Sequence, residues 1–161
     1  MEKTIRLFDS KLIFRDIKVK DKEECIAKMV NCLAESEVLS DKDAFLNTVM
    51  EREAIMSTGI GRNVALPHGR SDLVKTVRSV VFLFKNGIDF QAVDDEPVQL
   101  VVLTASPKNE SHIYMLMLKH LTEYLRQPEK RDLLFKVASK DELIKIMKGI
   151  ENEVNKDLAD N

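Results

Sequence analysis

Two long apolar runs constrain the fold of this chain more than any other feature. The runs "TVRSVVFLF" (76–84) and "VQLVVLTA" (98–105) carry apolar residues on both alternating faces. A strand of this kind is covered on both sides, as in a sheet between two layers of helices. Shorter runs at 64–66 and 88–90 predict further strands, and Asn86-Gly87 is a candidate hairpin turn between the second and third of the four runs.

The rest of the chain has helical periodicity. Amphipathic patterns predict helices at 21–35, from 40 or 41 to about 55, and at 109–127, 128–137 and 140–149. Asp21, Asn109 and Pro128 are residue types that favour helix starts. Gly149 is expected to end the last helix and to leave a polar tail at 151–161. These patterns predict a single-domain α/β sandwich, with a mixed parallel and antiparallel sheet of about five strands flanked by helices on both faces.

Composition excludes several classes of protein. The 161 residues suit one domain, and 44% hydrophobic with 32% charged residues is typical of a globular protein. A net charge of −2 argues against nucleic acid or an anionic membrane as a partner. The charged N-terminus lacks a signal-peptide core and no run is long enough to cross a bilayer, so we expect a cytoplasmic location. Cys25 and Cys32 are too far apart on a helix for a disulfide, and both are expected to be buried as small hydrophobic residues.

The segment "STGIGRNVALPHGR" (57–70) concentrates glycine and hydroxyl residues around His68. A histidine behind Pro67 at a strand end is well placed to present a reactive side chain, and the loop before it suits binding an anion. Phosphate contacts or loop support are expected from Ser57, Thr58, Gly59, Gly61 and Gly69. We expect the glycines to leave room for a partner's phosphorylated side chain. The alternative is a glycine turn with a histidine nearby.

Two more positions could complete a site. Arg52 falls on the predicted core-facing arc of its helix, where a guanidinium either holds an anion or pairs its exposed head with a surface acid. His112 should lie at the start of a helix behind Asn109, accessible and close to the positive end of the helix dipole. His120 lies nearer the apolar edge of the same helix and is expected to be structural.

These residue types suit phosphoryl transfer. Imidazole has a pKa of about 6.5, so near neutral pH one ring nitrogen is often free to attack phosphorus. Because the transition state is loose, catalysis depends mainly on positioning and on charge stabilisation. An arginine, a second imidazole and a helix N-terminus would supply both.

The segment "EREAIMSTGIGRNVALPHGR" resembles the active-site segment of enzyme IIA domains of the fructose/mannitol class in the bacterial phosphoenolpyruvate:sugar phosphotransferase system. That class includes a nitrogen-regulatory branch. The segments "GIDFQAVDDEPVQLVVLTASP" and "ESHIYMLML" match later parts of the same family in the same order. The resemblance extends from about residue 5 to residue 150 and rests on the combination of these motifs.

The resemblance implies an enzyme IIA-like phosphocarrier domain at 1–150 that works without a cofactor. It implies that His68 is phosphorylated by a histidine-containing phosphocarrier protein, with His112 as the second active-site histidine and Arg52 as their support. The onward acceptor would be a cysteine of an enzyme IIB on another chain. Arg62-Asn63 departs from the family pattern and is expected to add a cation near the site.

Two other functions remain open from the sequence. The first is a regulatory module, like the nitrogen branch, whose phosphorylation controls docking to protein targets. The second is a metal hydrolase that uses the three histidines, although their spacings of 44 and 8 residues match no ligand signature.

Overall fold

The computed structural model describes residues 4–160 and contains six strands and five α-helices. The strands are β1 (Ile13–Arg15), β2 (Gly59–Gly61), β3 (Val64–Ala65), β4 (His68–Arg70), β5 (Arg78–Ile88) and β6 (Val98–Ser106). The helices are α1 (Lys22–Glu35), α2 (Lys42–Ile55), α3 (Ser111–Arg126), α4 (Pro128–Phe135) and α5 (Lys140–Ala159). None of the helices in the described part of the chain has both the length and the apolar character needed to span a membrane.

All six strands form one sheet of mixed direction. Its order is β1-β5-β6-β3-β2, and β4 lies beside β6 beyond the end of β3. The β5–β6 and β2–β3 pairs are antiparallel, whereas β1 is parallel to β5, and β3 and β4 are parallel to β6. The predicted mixed sheet is confirmed.

Helices cover both faces of the sheet, as the sequence predicts. Alternate residues of β5 enter different cores, with Val81 on the face covered by α3, α4 and α5 and Phe82 on the face covered by α1 and α2. Both residues are fully buried. The alternation explains why β5 must be apolar on both faces.

The hairpin prediction at Asn86-Gly87 is wrong. Strand β5 continues through both residues to Ile88, which pairs with Val98, and the register shifts between Leu83 and Ile88. Gly87 has a φ of 78°, and a Cβ there would lie 2.8 Å from the Cβ of Pro97. The dipeptide therefore forms a bulge within the strand, and the reversal occurs over 89–97.

The last helix does not end at Gly149, as the sequence predicts, but continues to Ala159. Gly149 is not in the left-handed conformation that usually ends a helix. The apolar spacing of Leu143 and Met147 continues with Ile150 and Val154, all buried in the core. The polar stretch from 151 to 159 thus forms about two and a half further amphipathic turns of the same helix.

The cysteine prediction holds fully for one residue. Cys25 is completely buried against the α1–α2 core, whereas Cys32 is half-buried at its edge. Burial raises the pKa of Cys25 to about 12. Neither thiol is placed to act as a nucleophile.

Candidate phosphoryl-transfer site

A close contact between α2 and β4 builds the site. Gly69 is buried, and a Cβ at this position would lie 2.8 Å from the ring of Phe45 and 3.0 Å from Val49. Phe45 and Val49 lie on the face of α2 that also carries Arg52. The absence of a side chain at Gly69 thus lets α2 pack directly on β4, which brings Arg52 to His68. This packing role of Gly69 was not predicted from the sequence, and Gly69 also lines the cavity described next.

A cavity of about 450 Å³ contains this junction. Its wall combines residues from α2, β4, the end of β6 and the first turn of α3. The lining residues are Thr48, Arg52, His68, Gly69, Arg70, Thr104, Ser106, Ser111, Tyr114 and Met115. His68 and Arg52 are therefore brought together, as predicted.

The hydrogen bond of His68 determines which ring nitrogen can react. Nδ1 lies 3.2 Å from the carbonyl oxygen of Leu66. A carbonyl can only accept, so Nδ1 carries the proton and Nε2 keeps its lone pair. The imidazole is half-buried. Its geometry leaves Nε2 as the ring nitrogen with a free lone pair.

Burial and charge both keep this imidazole neutral. Burial is the main reason that the pKa of His68 lies below its ordinary value of 6.5, and the positive charge of Arg52 lowers it further. The hydrogen bond to Leu66 and the negative charge of Glu53 act in the opposite direction. The net lowering leaves more of the free base at neutral pH.

Tyr114 packs against His68, a contact that the sequence did not reveal. The ring centroids are 5.1 Å apart and the planes are inclined by 36°. Burial raises the pKa of Tyr114 to about 12, against a smaller effect of Arg52. The neutral phenol ring restrains the orientation of the imidazole.

Arg52 has no acidic partner among residues 4–160. It is half-buried, and Nη1 donates to the carbonyl oxygen of Met56 at 2.9 Å. This bond joins the guanidinium to the end of its own helix and leaves its charge uncompensated. The alternative of a surface ion pair is therefore not what the structure shows.

His112 does not line the cavity that contains His68. A turn of 3₁₀ helix at Lys108–Glu110 precedes α3, so Asn109 is not the cap of this helix and His112 is its second residue. His112 is exposed, as predicted, and borders a shallower depression with Met115, Leu116, Lys119 and Leu158. Met115 lines both depressions, which therefore adjoin.

The hydroxyl and glycine residues of 57–61 do not line the cavity either. Ser57 Oγ donates to the carbonyl of Phe90 at 2.7 Å. Thr58 is buried, and both its N–H and its hydroxyl donate to the carboxylate of Glu53. Gly59 and Gly61 lie in β2, where a Cβ at Gly59 would lie 2.8 Å from Ala92. These residues support the loop and offer no phosphate contact in this arrangement.

A buried ion pair, which could not be predicted from the sequence, anchors the same loop. Lys22 Nζ lies 2.8 Å from Glu53 Oε2, and both side chains are more than 90% buried. Lys22 also donates to the carbonyl of Phe90 and to the side chain of Gln91. Glu53 thus joins α1, α2 and the loop through Thr58, directly beside Arg52.

The expected cation at Arg62 is not near the cavity. Arg62 and Asn63 both have positive φ and form the two-residue turn between β2 and β3. The carbonyl of Asn63 accepts from Gln99, whereas His68 pairs with Thr104. Five positions of β6 correspond to about 16 Å, so the turn lies at the far end of the strand.

His120 has the structural role that the sequence predicts. Its Nε2 lies 2.7 Å from Asp157 Oδ2, so the side chain connects α3 to α5. The three histidines occupy separate places, and residues 4–160 contain no group of three or more His, Cys, Asp or Glu side chains arranged to hold a metal ion.

Comparisons with known proteins agree with this architecture. The chain is 30% identical over 145 residues to the PTS system fructose-specific EIIABC component of Bacillus subtilis. The match covers 90% of this chain but only 23% of that protein. It is 29% identical over 119 residues to the PTS system fructose-specific EIIA component of Haloferax volcanii, covering 74% of this chain and 77% of that protein.

Solved structures share the fold. The nitrogen regulatory protein IIA-Ntr from Neisseria meningitidis superposes with a TM-score of 0.81 at 27% identity, over 88% of this chain and 96% of that one. The enzyme IIAMTL of Escherichia coli, solved in complex with phosphorylated enzyme IIBMTL, has a TM-score of 0.76 at 24% identity, over 89% and 99%.

An open mixed sheet between two helical layers is thus the fold of enzyme IIA proteins of the mannitol and nitrogen-regulatory types. A family model described as "Phosphoenolpyruvate-dependent sugar phosphotransferase system, EIIA 2" matches residues 6–150. The chain belongs to this family, whose general role is that of a phosphotransferase component.

Proposed function

We propose that the chain is a cytoplasmic phosphocarrier whose phosphoryl group is held on Nε2 of His68. The observation that carries this proposal is the hydrogen bond from Nδ1 to Leu66, which leaves Nε2 unprotonated beside the uncompensated charge of Arg52. The proposed domain comprises residues 1–150 together with the remainder of α5, which runs to Ala159 and places Val154 in the core.

In the proposed reaction, the donor is the phosphohistidine of a histidine-containing phosphocarrier protein. The Nε2 lone pair attacks phosphorus, a new N–P bond forms, and the donor's N–P bond breaks with its electron pair returning to the donor imidazole. The proton on Nδ1 stays shared with Leu66. Arg52 stabilises the charge on the equatorial phosphoryl oxygens, which is where such a reaction needs help.

The onward acceptor in this proposal is the cysteine thiolate of an enzyme IIB on another chain. The related fructose-specific protein of Bacillus subtilis is named as an EIIABC component, and the Escherichia coli protein of the same fold is solved with a phosphorylated IIB. Neither thiol of this chain can replace that cysteine, because Cys25 is fully buried and Cys32 half-buried on the core side of α1.

A regulatory role is the second candidate, and the likeness to a nitrogen regulatory protein favours it. In that case the same histidine is phosphorylated, but the modified surface controls docking to protein targets. His112 would be part of that docking surface, since it is exposed and borders the depression that shares Met115 with the cavity of His68. Its imidazole would assist a docked partner, so His112→Ala should slow transfer without preventing phosphorylation.

The two roles separate in a reconstituted transfer assay. The purified chain is offered phosphodonor proteins of the sugar and nitrogen branches in parallel, and then a sugar-specific enzyme IIB. Acid-labile, base-stable label followed by transfer to IIB supports the sugar relay. Label that turns over with the nitrogen donor alone and never reaches IIB supports the regulatory role. No label from either donor contradicts both.

A further inference from the structure

Arg70 lies two residues from His68 on the same strand. Side chains at alternate positions of a strand point to the same face, with about 6.6 Å between their Cα atoms. Gly69, between them, faces Phe45 on the opposite side. His68 and Arg70 accordingly line the same cavity.

The charge of Arg70 has no acidic partner in the described chain. Its Nη1 donates to the hydroxyl oxygen of Ser111, the first residue of α3, at 2.9 Å. A hydroxyl does not neutralise a guanidinium, and the remaining N–H groups of Arg70 have no hydrogen-bond partner among residues 4–160. By contrast, Arg15 and Arg78, which lie elsewhere in the sheet, are each paired with an aspartate.

We propose that Arg70 is a second phosphoryl-binding arginine, which contacts the phosphoryl group on His68 from β4 while Arg52 contacts it from α2. This inference rests on the proposed function. A phosphoryl group on Nε2 projects beyond the ring into the cavity that both guanidinium groups line. Its three oxygens can accept from two planar donor groups, each suited to bidentate contact.

The contact with Ser111 gives Arg70 a resting position. A neutral hydroxyl is a weaker acceptor than a phosphoryl oxygen, so the phosphoryl group competes successfully for the guanidinium. The charge that lowers the pKa of the unmodified His68 is that of Arg52. Because Ser111 holds Arg70 in the unphosphorylated protein, we expect Arg70 to act mainly on the phosphorylated protein, whereas Arg52 acts on both states.

The competing explanation is that Arg70 only ties the start of α3 to β4. Four variants separate the two roles. Arg70→Ala removes both the tie and the charge, whereas Ser111→Ala removes the tie and keeps the charge. Arg70→Lys keeps a point charge without the planar donors. Arg126→Ala is the matched control, since Arg126 is exposed at the other end of α3, about 22 Å along the helix.

The experiment measures the rate of phosphoryl uptake and the lifetime of the isolated phosphoprotein, with thermal unfolding of each variant as a check on folding. We expect Arg70→Ala to slow uptake about tenfold and to shorten the lifetime of the phosphohistidine by a similar factor. Arg70→Lys should recover part of this loss. Ser111→Ala should lose much less than Arg70→Ala, and Arg126→Ala should retain rates close to those of the wild-type chain.

A second readout follows the imidazole itself by NMR titration of the unphosphorylated protein. Arg52→Ala should raise the pKa of His68, and Arg70→Ala should leave that pKa close to its wild-type value. Equal losses in Arg70→Ala and Ser111→Ala, or unchanged uptake in a folded Arg70→Ala, would overturn the role of Arg70 while leaving the proposed function intact. If the wild-type chain takes up no phosphate, the proposed function itself fails.

Discussion

His68 and His120 are the same side chain in opposite electrostatic surroundings. His68 shares its cavity with two guanidinium groups and donates from Nδ1 to a backbone carbonyl. His120 lies between two carboxylates, with Nε2 2.7 Å from Asp157 and Nδ1 3.8 Å from Glu123. Both rings are partly buried, so depth alone does not distinguish them.

The difference lies in what surrounds each ring. Burial and the charge of Arg52 disfavour imidazolium at His68, which keeps a lone pair on Nε2. At His120, Nε2 is hydrogen-bonded to Asp157, which connects α3 to α5, and Nδ1 lies 3.8 Å from Glu123 on the same helix. The neighbours, rather than the residue type, separate a nucleophile from a structural contact.

The largest expected effect is the difference between removing His68 and removing His120. His68→Ala should abolish acid-labile phosphate incorporation, because no other imidazole lies in the cavity. His120→Ala should still incorporate phosphate, with a loss of thermal stability as its cost. Phosphate labelling with a donor protein measures incorporation. Thermal unfolding of each variant measures stability. Retained label in a folded His68→Ala protein would remove the distinction between the two histidines.

The next effect tests the guanidinium beside His68. Arg52→Lys should slow phosphoryl uptake by about 10- to 100-fold, because a lysine lacks the planar donors that match phosphoryl oxygens. Single-turnover transfer from the donor protein measures this rate. The exposed Glu51→Ala on the same helix serves as a control for general damage to α2. An unchanged rate in Arg52→Lys would mean that charge alone, and not geometry, is required.

The third effect concerns stability. Glu53→Ala leaves Lys22 as an unpaired buried charge and removes the carboxylate that accepts from both the N–H and the hydroxyl of Thr58. It should therefore lower the free energy of unfolding by about 3–5 kcal/mol. Urea unfolding measures this change. Combining Lys22→Met with Glu53→Met should recover part of the loss, since the buried charge is then gone. A loss as large as in Glu53→Ala would place the cost in the Thr58 contacts instead.

The smallest effect is a contrast in pH dependence. Above the unfolded-state pKa of about 6.5, His68 is neutral in both states and contributes no pH dependence. Below that value the unfolded chain binds the proton first, so stability falls until the pH passes the lower folded-state pKa of His68. His68→Gln should therefore flatten the decline in urea-unfolding free energy between about pH 7.5 and pH 5.5.

Asp157 should act in the same direction but in a more acidic range. Its hydrogen bond with His120 holds the pKa of Asp157 below its ordinary value of 3.8. The stability that this carboxylate supplies is complete above that ordinary value and is lost as the pH falls through the lower folded-state pKa. Asp157→Asn should thus lower stability at neutral pH and have less effect in strong acid. If both variants changed the urea-unfolding free energy over the same pH range, this difference between the two sites would be contradicted.

The helices and the two long strands could be predicted because their periodicity is strong. Apolar residues at both faces of 76–84 and 98–105 require helices on either side, and the structure has them. Asp41 and Ser139 cap their helices through side-chain hydrogen bonds, so the starts of α2 and α5 were readable. In these elements local preference and tertiary packing agree.

The errors arise where glycine has several uses. Gly149 resembles a helix end, but the apolar stripe continues past it. Gly87 supplies a positive φ for a bulge rather than a turn. Gly69 permits close packing of Phe45, a long-range contact that no local pattern encodes. The strand β4 was missed for the same reason, since a short run with a central glycine has little strand preference.

The site shows the same division. His68 and Arg52 could be found from residue type and helical phase, whereas Arg70 and Tyr114 depend on which elements meet. The hydroxyls of Ser57 and Thr58 seemed available because their partners, Phe90 and Glu53, are set by tertiary structure. Position relative to the cavity, rather than local composition, decides which of these residues can touch a phosphoryl group.

The most direct test of the central claim is a long-range ¹⁵N–¹H NMR spectrum of the phosphorylated chain, with phosphorus coupling to the imidazole nitrogens. The hydrogen bond from Nδ1 to Leu66 predicts phosphorus coupled to Nε2 of His68 and a proton retained on Nδ1. Coupling to Nδ1, or to any nitrogen of His112 or His120, would contradict the account.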